Sequence, residues 1–486
     1  MRETSALLLF SLALSAAAQT ATAALPSAPS AANGTVQLSL LQPSAGQSPA
    51  QDAPSRTATA TTQQPKPLLD AGAPTAQITR REAEQLALKN NPRITANHLL
   101  ALAAGQVTRE TRSGELPQIY GAITAEKAED GSRIGSGGLT DSRLYTHAGG
   151  GGTLTQLITD FGHTKDLVAT NRLQQKAQDQ TTIATQQDVL LATDEAFYRL
   201  LNAQSLLNVA RATVQARGDV QNLTSALTRS ALKSDLDLNI ASADLSQAQL
   251  LQLDAENAVG SASAALAAVL AAPPDRLYQA VEDATAAPPP PPDPDSSVAL
   301  NAAAQTQRPD LQALRLNAQA YEKYARAQQL QRLPTISALA IGGITPVSPD
   351  GIFVPHWYAA GGVNLSVPLF TGFRIDAQAQ EARLRQRATE KQAQTLSDTI
   401  ARDIRVSVLN ARTAFRRIAV ADQFRSQTAQ ALALAQTRYK LGLSSIVELS
   451  QAQLQSTQAA VSAVNARYDY LLSLRGLDYA RGQLAP

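Results

Sequence analysis

The chain has 486 residues, enough for about three ordinary domains or one long repetitive body. Its 42 Lys+Arg against 40 Asp+Glu leave a formal charge of +2, too balanced for a protein that works by neutralising phosphates, so nucleic acid is not expected as a partner. The absence of cysteine excludes disulfides, thiol nucleophiles, zinc–thiolate sites and a lipid anchor on an N-terminal cysteine, and the four histidines lack i, i+3 or i, i+4 ligand spacing.

In chain order, Arg2 precedes an apolar run from Ala6 to Ala18, with small-residue sites at Ala16–Ala18 and Ala21–Ala23. Such a run is too short for a bilayer, which needs about 20 residues, but suits the h-region of a cleavable export signal over residues 1–23. No later stretch is long and apolar enough for a transmembrane helix. That leaves the periplasm, the exterior or an outer-membrane β-barrel. Residues 24–76 are rich in Ala, Ser, Thr, Pro and Gln without apolar periodicity, and are expected to be a disordered extension. Order is expected from Thr79, where Thr79-Arg-Arg-Glu82 forms a capping box.

From residue 77 the chain reads as two similar halves, 77–272 and 297–482, flanking a Pro-rich connector at 273–296. Asn91-Pro92 matches Arg308-Pro309, and each proline is followed 25 residues later by the proline of a Leu-Pro pair, Leu116-Pro117 and Leu333-Pro334. Leu157–Phe161 matches Leu369–Phe373, and Ser234–Leu238 matches Ser445–Leu449. Four anchors in one order indicate an internal duplication. Each half is expected to run short helix, strand pair, long helical hairpin.

The hairpin helices are legible from periodicity. Ala196, Leu200, Ala203, Leu207, Ala210 and Val214 step by three or four, as do Ile400, Ile404, Val408, Ala411, Phe415 and Ile418. The return segment repeats this at Val461, Val464, Tyr468 and Leu471. No glycine lies between Ile375 and Leu441, so about 66 unbroken residues predict a rod of about 100 Å. A rod of that length has to bury its stripe against neighbouring helices.

The strands alternate instead. Ile119, Ile123 and Ala125 face away from Gln118, Thr124 and Glu126, and odd positions from Trp357 to Leu369 are apolar while Asn364 and Ser366 are polar. This fits either a transmembrane β-barrel or a half-buried sheet. Glycine-rich stretches at 130–138 and 346–351 read as loops, and Tyr120, Tyr145, Trp357 and Tyr358 as aromatics at a lipid boundary. Gly149–Gly152 lacks the Lys-Ser/Thr of a phosphate loop and lies in a strand, where it permits bending or close packing.

Val367–Arg374, with Pro368, Phe370 and Gly372 at a strand-to-helix junction, and Thr437–Leu449 at a hairpin tip resemble the TolC-like family of outer-membrane channel proteins. The Asn91-Pro92 helix with Leu116-Pro117 is also similar, and the resemblance covers about residues 78–482. It implies a mainly α fold with transmembrane β. Three protomers would give four strands each to one 12-stranded barrel, continued by a long periplasmic α-helical barrel. It also implies an outer-membrane location in contact with lipid, a periplasmic adaptor and an inner-membrane pump as partners, and neither cofactor nor enzymatic activity.

By the same resemblance the gate lies at the hairpin tips. Glu448 matches one acidic aperture position, Gln451 stands at the second, and Tyr439 matches a tip tyrosine. Asp235 and Asp237 lie at the other tip. Ser stands at 444, where the family pattern has a basic residue. Capping is the competing reading for Asp237 and Glu448, because Ser234–Asp237 and Ser445–Glu448 carry the Ser-x-x-acid spacing that restarts a helix. The resemblance favours small-molecule efflux over one-step protein secretion. An exported trimeric coiled-coil stalk is the structural alternative, against which the duplication argues.

Overall fold

The computed structural model describes residues 76–127, 133–136, 139–143, 147–273, 275–282, 289–291, 293, 296–344 and 357–484. The expected signal, nearly all of the expected extension, Tyr145, the 346–351 loop and part of the connector lie outside the described residues. The first described element is a short strand before the expected start, β1 (Ala76–Ile78). Helix α1 (Arg80–Asn90) then opens on the capping box, with Thr79 N donating to Glu82 Oε2 at 2.8 Å and Glu82 N to Thr79 Oγ1 at 3.4 Å. Asn91 ends α1 and caps α2 (Pro92–Ser113), its Oδ1 accepting from Arg93 N at 3.0 Å. Pro92 sits at the first helical position, where its missing N–H costs nothing. Two helices therefore stand where one was expected, because the Asn-Pro pair stops one helix and starts the next.

The first half continues through β2 (Gln118–Glu126), β3 (Arg133–Ser136), β4 (Leu139–Arg143), β5 (His147–Thr159), α3 (His163–Arg229) and α4 (Asp235–Val269). The second runs β6 (Tyr278–Ala280), α5 (Ser296–Gln307), α6 (Pro309–Leu330), β7 (Thr335–Ile344), β8 (Trp357–Ser366), α7 (Arg374–Lys440) and α8 (Ile446–Ala480). The halves match in length. α2 and α6 have 22 residues each, α3 and α7 have 67, and α4 and α8 have 35. At ~1.5 Å per residue the two longest helices each reach about 100 Å.

Two expectations are corrected. The glycine-rich stretch at 130–138 is not all loop, since β3 and β4 pair as a small antiparallel hairpin. The connector at 273–296 holds β6, which pairs in parallel with β1, so the opening strands of the two halves lie side by side. Tyr278 is buried there, its N–H donating to Ser263 Oγ at 2.8 Å.

Along the lower part of the long helices α3 packs on α4, and α7 on α8; nearer the sheet α3 lies against α2 and α6. The expected stripes form the seams. Ala196, Leu200, Ala203, Leu207 and Ala210 are buried on α3, and Ile400, Ile404, Val408 and Ala411 on α7. Much of the seam is alanine, which lets helix axes approach closely. His163, with Nδ1 2.8 Å from Ala327 O, ties α3 to α6.

One core cluster includes Ile78, Ala83, Phe197, Leu200, Leu266 and Tyr278. Beside it, Glu84 of α1 and Asp194 of α3 are fully buried around Arg475 of α8. Arg475 Nε donates to Asp194 Oδ2 at 2.5 Å and Nη2 to Glu84 Oε1 at 2.9 Å. Arg80 also pairs with Glu84. Burial and then the adjacent Asp194 push the Glu84 carboxyl up to about 7.

Candidate functional site

The helical tips are built twice from one plan. α3 ends in a left-handed Ala231, φ +59°, and α7 in Gly442, φ +74°. In both, the next N–H returns to a carbonyl five residues back, Leu232 to Leu227 at 2.9 Å and Leu443 to Arg438 at 2.8 Å. A serine then restarts each helix, Ser234 for α4 and Ser445 for α8.

The acidic residues after these serines behave differently. Asp237 closes a full capping box, its Oδ2 accepting from Ser234 N at 3.2 Å. Glu448 does not. Its N–H donates to Ser445 Oγ at 3.3 Å, but its carboxylate turns to Arg438, with Nε 3.4 Å from Oε1. Both side chains of that pair are about half exposed, so it is a weak tie. The carboxylate stays open to solvent, as do Asp235 and Gln451. Glu448, Gln451, Gln455, Gln458 and Ser462 form an exposed polar stripe at helical spacing along α8.

Tyr439 lies inside. It is fully buried with Val220, Ala241, Ile446 and Leu449, and its hydroxyl is 3.0 Å from Thr224 Oγ1. The Thr224 hydroxyl already donates to Val220 O at 2.9 Å, so Tyr439 is the donor to it. Lys233 Nζ sits 4.6 Å from the Tyr439 ring centre, joining the two tips through a cation–π contact. Ser444 Oγ is buried without a hydrogen-bond partner among the described residues.

Above the tips lies a polar tie that sequence reasoning missed. Arg217 of α3 donates through Nη1 to Asp244 Oδ2 of α4 at 2.7 Å and to Gln453 Oε1 of α8 at 2.6 Å. Ser450 Oγ donates to the same Asp244 oxygen at 2.6 Å. Burial pulls the Arg217 guanidinium down while Asp244 opposes the shift. Gln453, two residues from the expected Gln451, is the glutamine that locks the helices together. Its only sequence signal is a periodicity that turns it inward.

The other candidate surface is the antiparallel sheet, in the order β2-β5-β7-β8. Its register sorts residues by face. One face carries Ile119, Ile123, Leu154, Ile336, Ala338, Ala340, Ile344, Trp357, Val363 and Leu365, with Gln156 at its helix-proximal end. Ile123 and Val363 are 92% and 69% exposed. The other face carries Gln118, Thr124, Thr153, Thr155, Ser337, Asn364 and Ser366, with Leu339 and Ile341 among them. Tyr120 and Tyr358 share this polar face, opposite Trp357, because strand alternation sends neighbours to opposite sides. The three aromatics expected together at a lipid boundary are therefore divided between the two faces. At the junction after β8, Pro368 follows the strand, and Gly372 and Phe373 take left-handed conformations at φ +59° and +62°. Phe370 is 78% exposed, packed edge-on against the exposed Phe373.

Among the described residues no helix is long and apolar enough to cross a membrane, and no group of three or more His, Cys, Asp or Glu is placed to hold a metal ion.

The sequence pattern of the outer membrane efflux protein family matches residues 83–272 and 300–483. The chain is 23% identical over 414 residues to outer membrane protein TolC of Salmonella enteritidis, covering 82% of this chain and 81% of that one. It is 24% identical over 411 residues to TolC of Vibrio cholerae, covering 82% and 89%. Among solved structures, the outer membrane protein VceC of Vibrio cholerae superposes with a TM-score of 0.72 at 20% identity, over 83% of this chain and 96% of that one. A membrane protein of Pseudomonas aeruginosa superposes at 0.73 and 19% identity, over 87% and 96%.

Proposed function

Because the chain belongs to the outer membrane efflux protein family, its two halves matching that family over residues 83–272 and 300–483, we propose that three copies form one conduit carrying small molecules from the periplasm to the exterior. The observation that carries this reading is the sheet. Four strands cannot close a barrel, and β2 and β8 are its two edges. One face is almost wholly apolar, with Ile119, Ile123, Ile344, Trp357, Val363 and Leu365 exposed on it. In lipid, open edges leave backbone groups unpaired, so the sheet has to continue into other copies. Since β2 and β8 run antiparallel, β8 of one copy pairs in the proper sense with β2 of the next, and three copies give twelve strands.

In this reading the apolar face meets lipid, Trp357 marks its outer boundary, and Phe370 and Phe373 mark the helix-proximal boundary. The long helices continue the wall into the periplasm, and their exposed apolar residues (Leu250 on α4; Val406, Leu409, Val420 and Leu434 on α7) pack against neighbouring copies. A periplasmic adaptor and an inner-membrane pump supply substrate and energy, and the chain itself performs no catalysis. Passive duct work needs only a wet bore and an end that closes.

The closing end is the tips. Three copies of Glu448 and Gln451 around one axis place a ring of charge and amides across the bore. Tyr439 and the Arg217 tie hold each pair of hairpins together, and Asp237 acts as a helix cap. Like charges brought together around one axis favour cation binding. Small-molecule efflux is preferred to protein secretion on the family to which the chain belongs. The test is single-channel conductance in planar bilayers with Glu448→Ala. Cation block from the periplasmic side should weaken and the closed fraction should fall. Unchanged block and gating would remove Glu448 from the aperture.

A further inference from the structure

At the end of the sheet remote from the helices, β5 and β7 meet through glycine. Gly151 lies opposite Gly343, and Gly343 lies opposite Tyr358 of β8. A Cβ on Gly343 would come within 2.6 Å of Gly150 O and 2.8 Å of both Gly151 Cα and Tyr358 Oη. One on Gly151 would lie 2.8 Å from Tyr358 Oη and 2.9 Å from Gly342 O. Side chains on a strand ordinarily stand roughly perpendicular to the sheet. Tyr358 does not. Its ring crosses β7 and its hydroxyl ends beside β5, filling the space that two absent side chains leave.

The face on which the ring lies is the one with Thr153, Thr155, Ser337, Asn364 and Ser366. On a lipid-facing surface a phenol hydroxyl at this position would be short of partners, whereas on a bore surface water satisfies it. Tyr358 is 44% exposed, so part of the ring remains open to that side.

We propose that Tyr358 sets the width of the outer mouth, and that Gly151 and Gly343 form the recess that keeps its ring laid along the wall. This rests on the reading of the sheet as the wall of a three-copy aqueous bore. A side chain at either position would meet neighbouring backbone and the end of the ring together, so only glycine leaves the ring its place along the wall. Removing the ring widens the mouth. Selection by size at the exit is thereby separate from selection at the tips.

The chain has no cysteine, so Tyr358→Cys introduces a single thiol per copy. Purified protein is inserted in planar bilayers and exposed to a bulky quaternary-ammonium methanethiosulfonate, with Trp357→Cys in parallel. Before labelling, Tyr358→Cys should conduct at least as well as wild type. Labelling should then lower its conductance in up to three discrete steps, one per copy, and leave Trp357→Cys unchanged. Conductance insensitive to labelling at 358, or sensitive at 357 instead, overturns the assignment while leaving the channel intact. A wild-type protein that forms no conducting pore overturns both.

Discussion

Glu84, buried against Asp194, illustrates what one residue can do to the whole fold's response to pH. The native Glu84 carboxyl keeps its proton up to about 7, whereas its ordinary value is 4.5. Between those limits the folded chain binds more protons than the unfolded one. Its contribution to stability is therefore largest at and below about pH 4.5 and declines as pH rises to about 7. The groups facing it are Arg80 on α1, Asp194 and Tyr198 on α3, and Arg475 and Asp478 on α8. Glu84→Gln should flatten the fall in apparent melting temperature across that window, read by scanning fluorimetry in detergent. A residual slope is expected from Asp478, which burial also pushes up. A wild-type slope in the variant would show that the pair does not hold the proton. None of this was legible in the sequence, where Glu84 reads as one more surface glutamate in the first turns of a capped helix. The capping residues Thr79 and Glu82 were legible because their signal is local. The same contrast holds at the tips. Gly442 announces its left-handed turn, whereas Ala231 adopts it at a cost of about 1–2 kcal/mol and leaves no mark.

Among elements, the α3–α4–α8 tie is where the tip helices are fixed to one another. Arg217 and Asp244 side chains are 8% and 20% exposed, so removing one strands the other away from water. Arg217→Met should weaken this tie by about 3–5 kcal/mol. The expected signs are a raised open fraction in bilayers and faster proteolysis at Ser230–Ser234. Adding Asp244→Leu removes the stranded charge and should recover most of the loss. If the double variant is as impaired as the single one, the tie acts through packing and not through charge. Helix existence and the buried stripes were legible from Ile400, Ile404 and Val408, since a period of 3.6 sustained over many turns admits no other reading. Facing at the tip was legible only from phase. Gln451, Gln453 and Gln455 differ by about 200° per pair of residues around α8, and only the spacing from the buried Ile446 and Leu449, not residue identity, marks Gln453 as the one that turns inward. The strand faces were legible from alternation, which also puts Tyr120 and Tyr358 on the face opposite Trp357, a division that aromatic type alone does not reveal.

For the molecule as a whole, two edge strands and one apolar face make the single chain incomplete. The prediction is a detergent-dependent particle of three chains. Light scattering of the detergent-solubilised protein should give a protein mass three times that of the processed chain, with no stable monomer on dilution. A monodisperse single chain that remains soluble after detergent removal would contradict it. The duplication behind this architecture was legible from Asn91-Pro92, Leu116-Pro117 and their counterparts. The parallel pairing of β1 with β6 was not, because three-residue strands carry too little pattern to recognise.

The equal helix lengths in the two halves, 67 with 67 and 35 with 35, act as a calliper. One residue added to α3 alone would advance everything below it by ~1.5 Å and rotate it by about 100°, throwing its hairpin out of phase with its twin. Steps that nearly close whole turns, seven or eleven residues, made together in α3, α4, α7 and α8, keep every seam aligned. The distance this protein can span is therefore adjustable in jumps of about 10 or 16 Å and not residue by residue, and each jump takes four coordinated insertions.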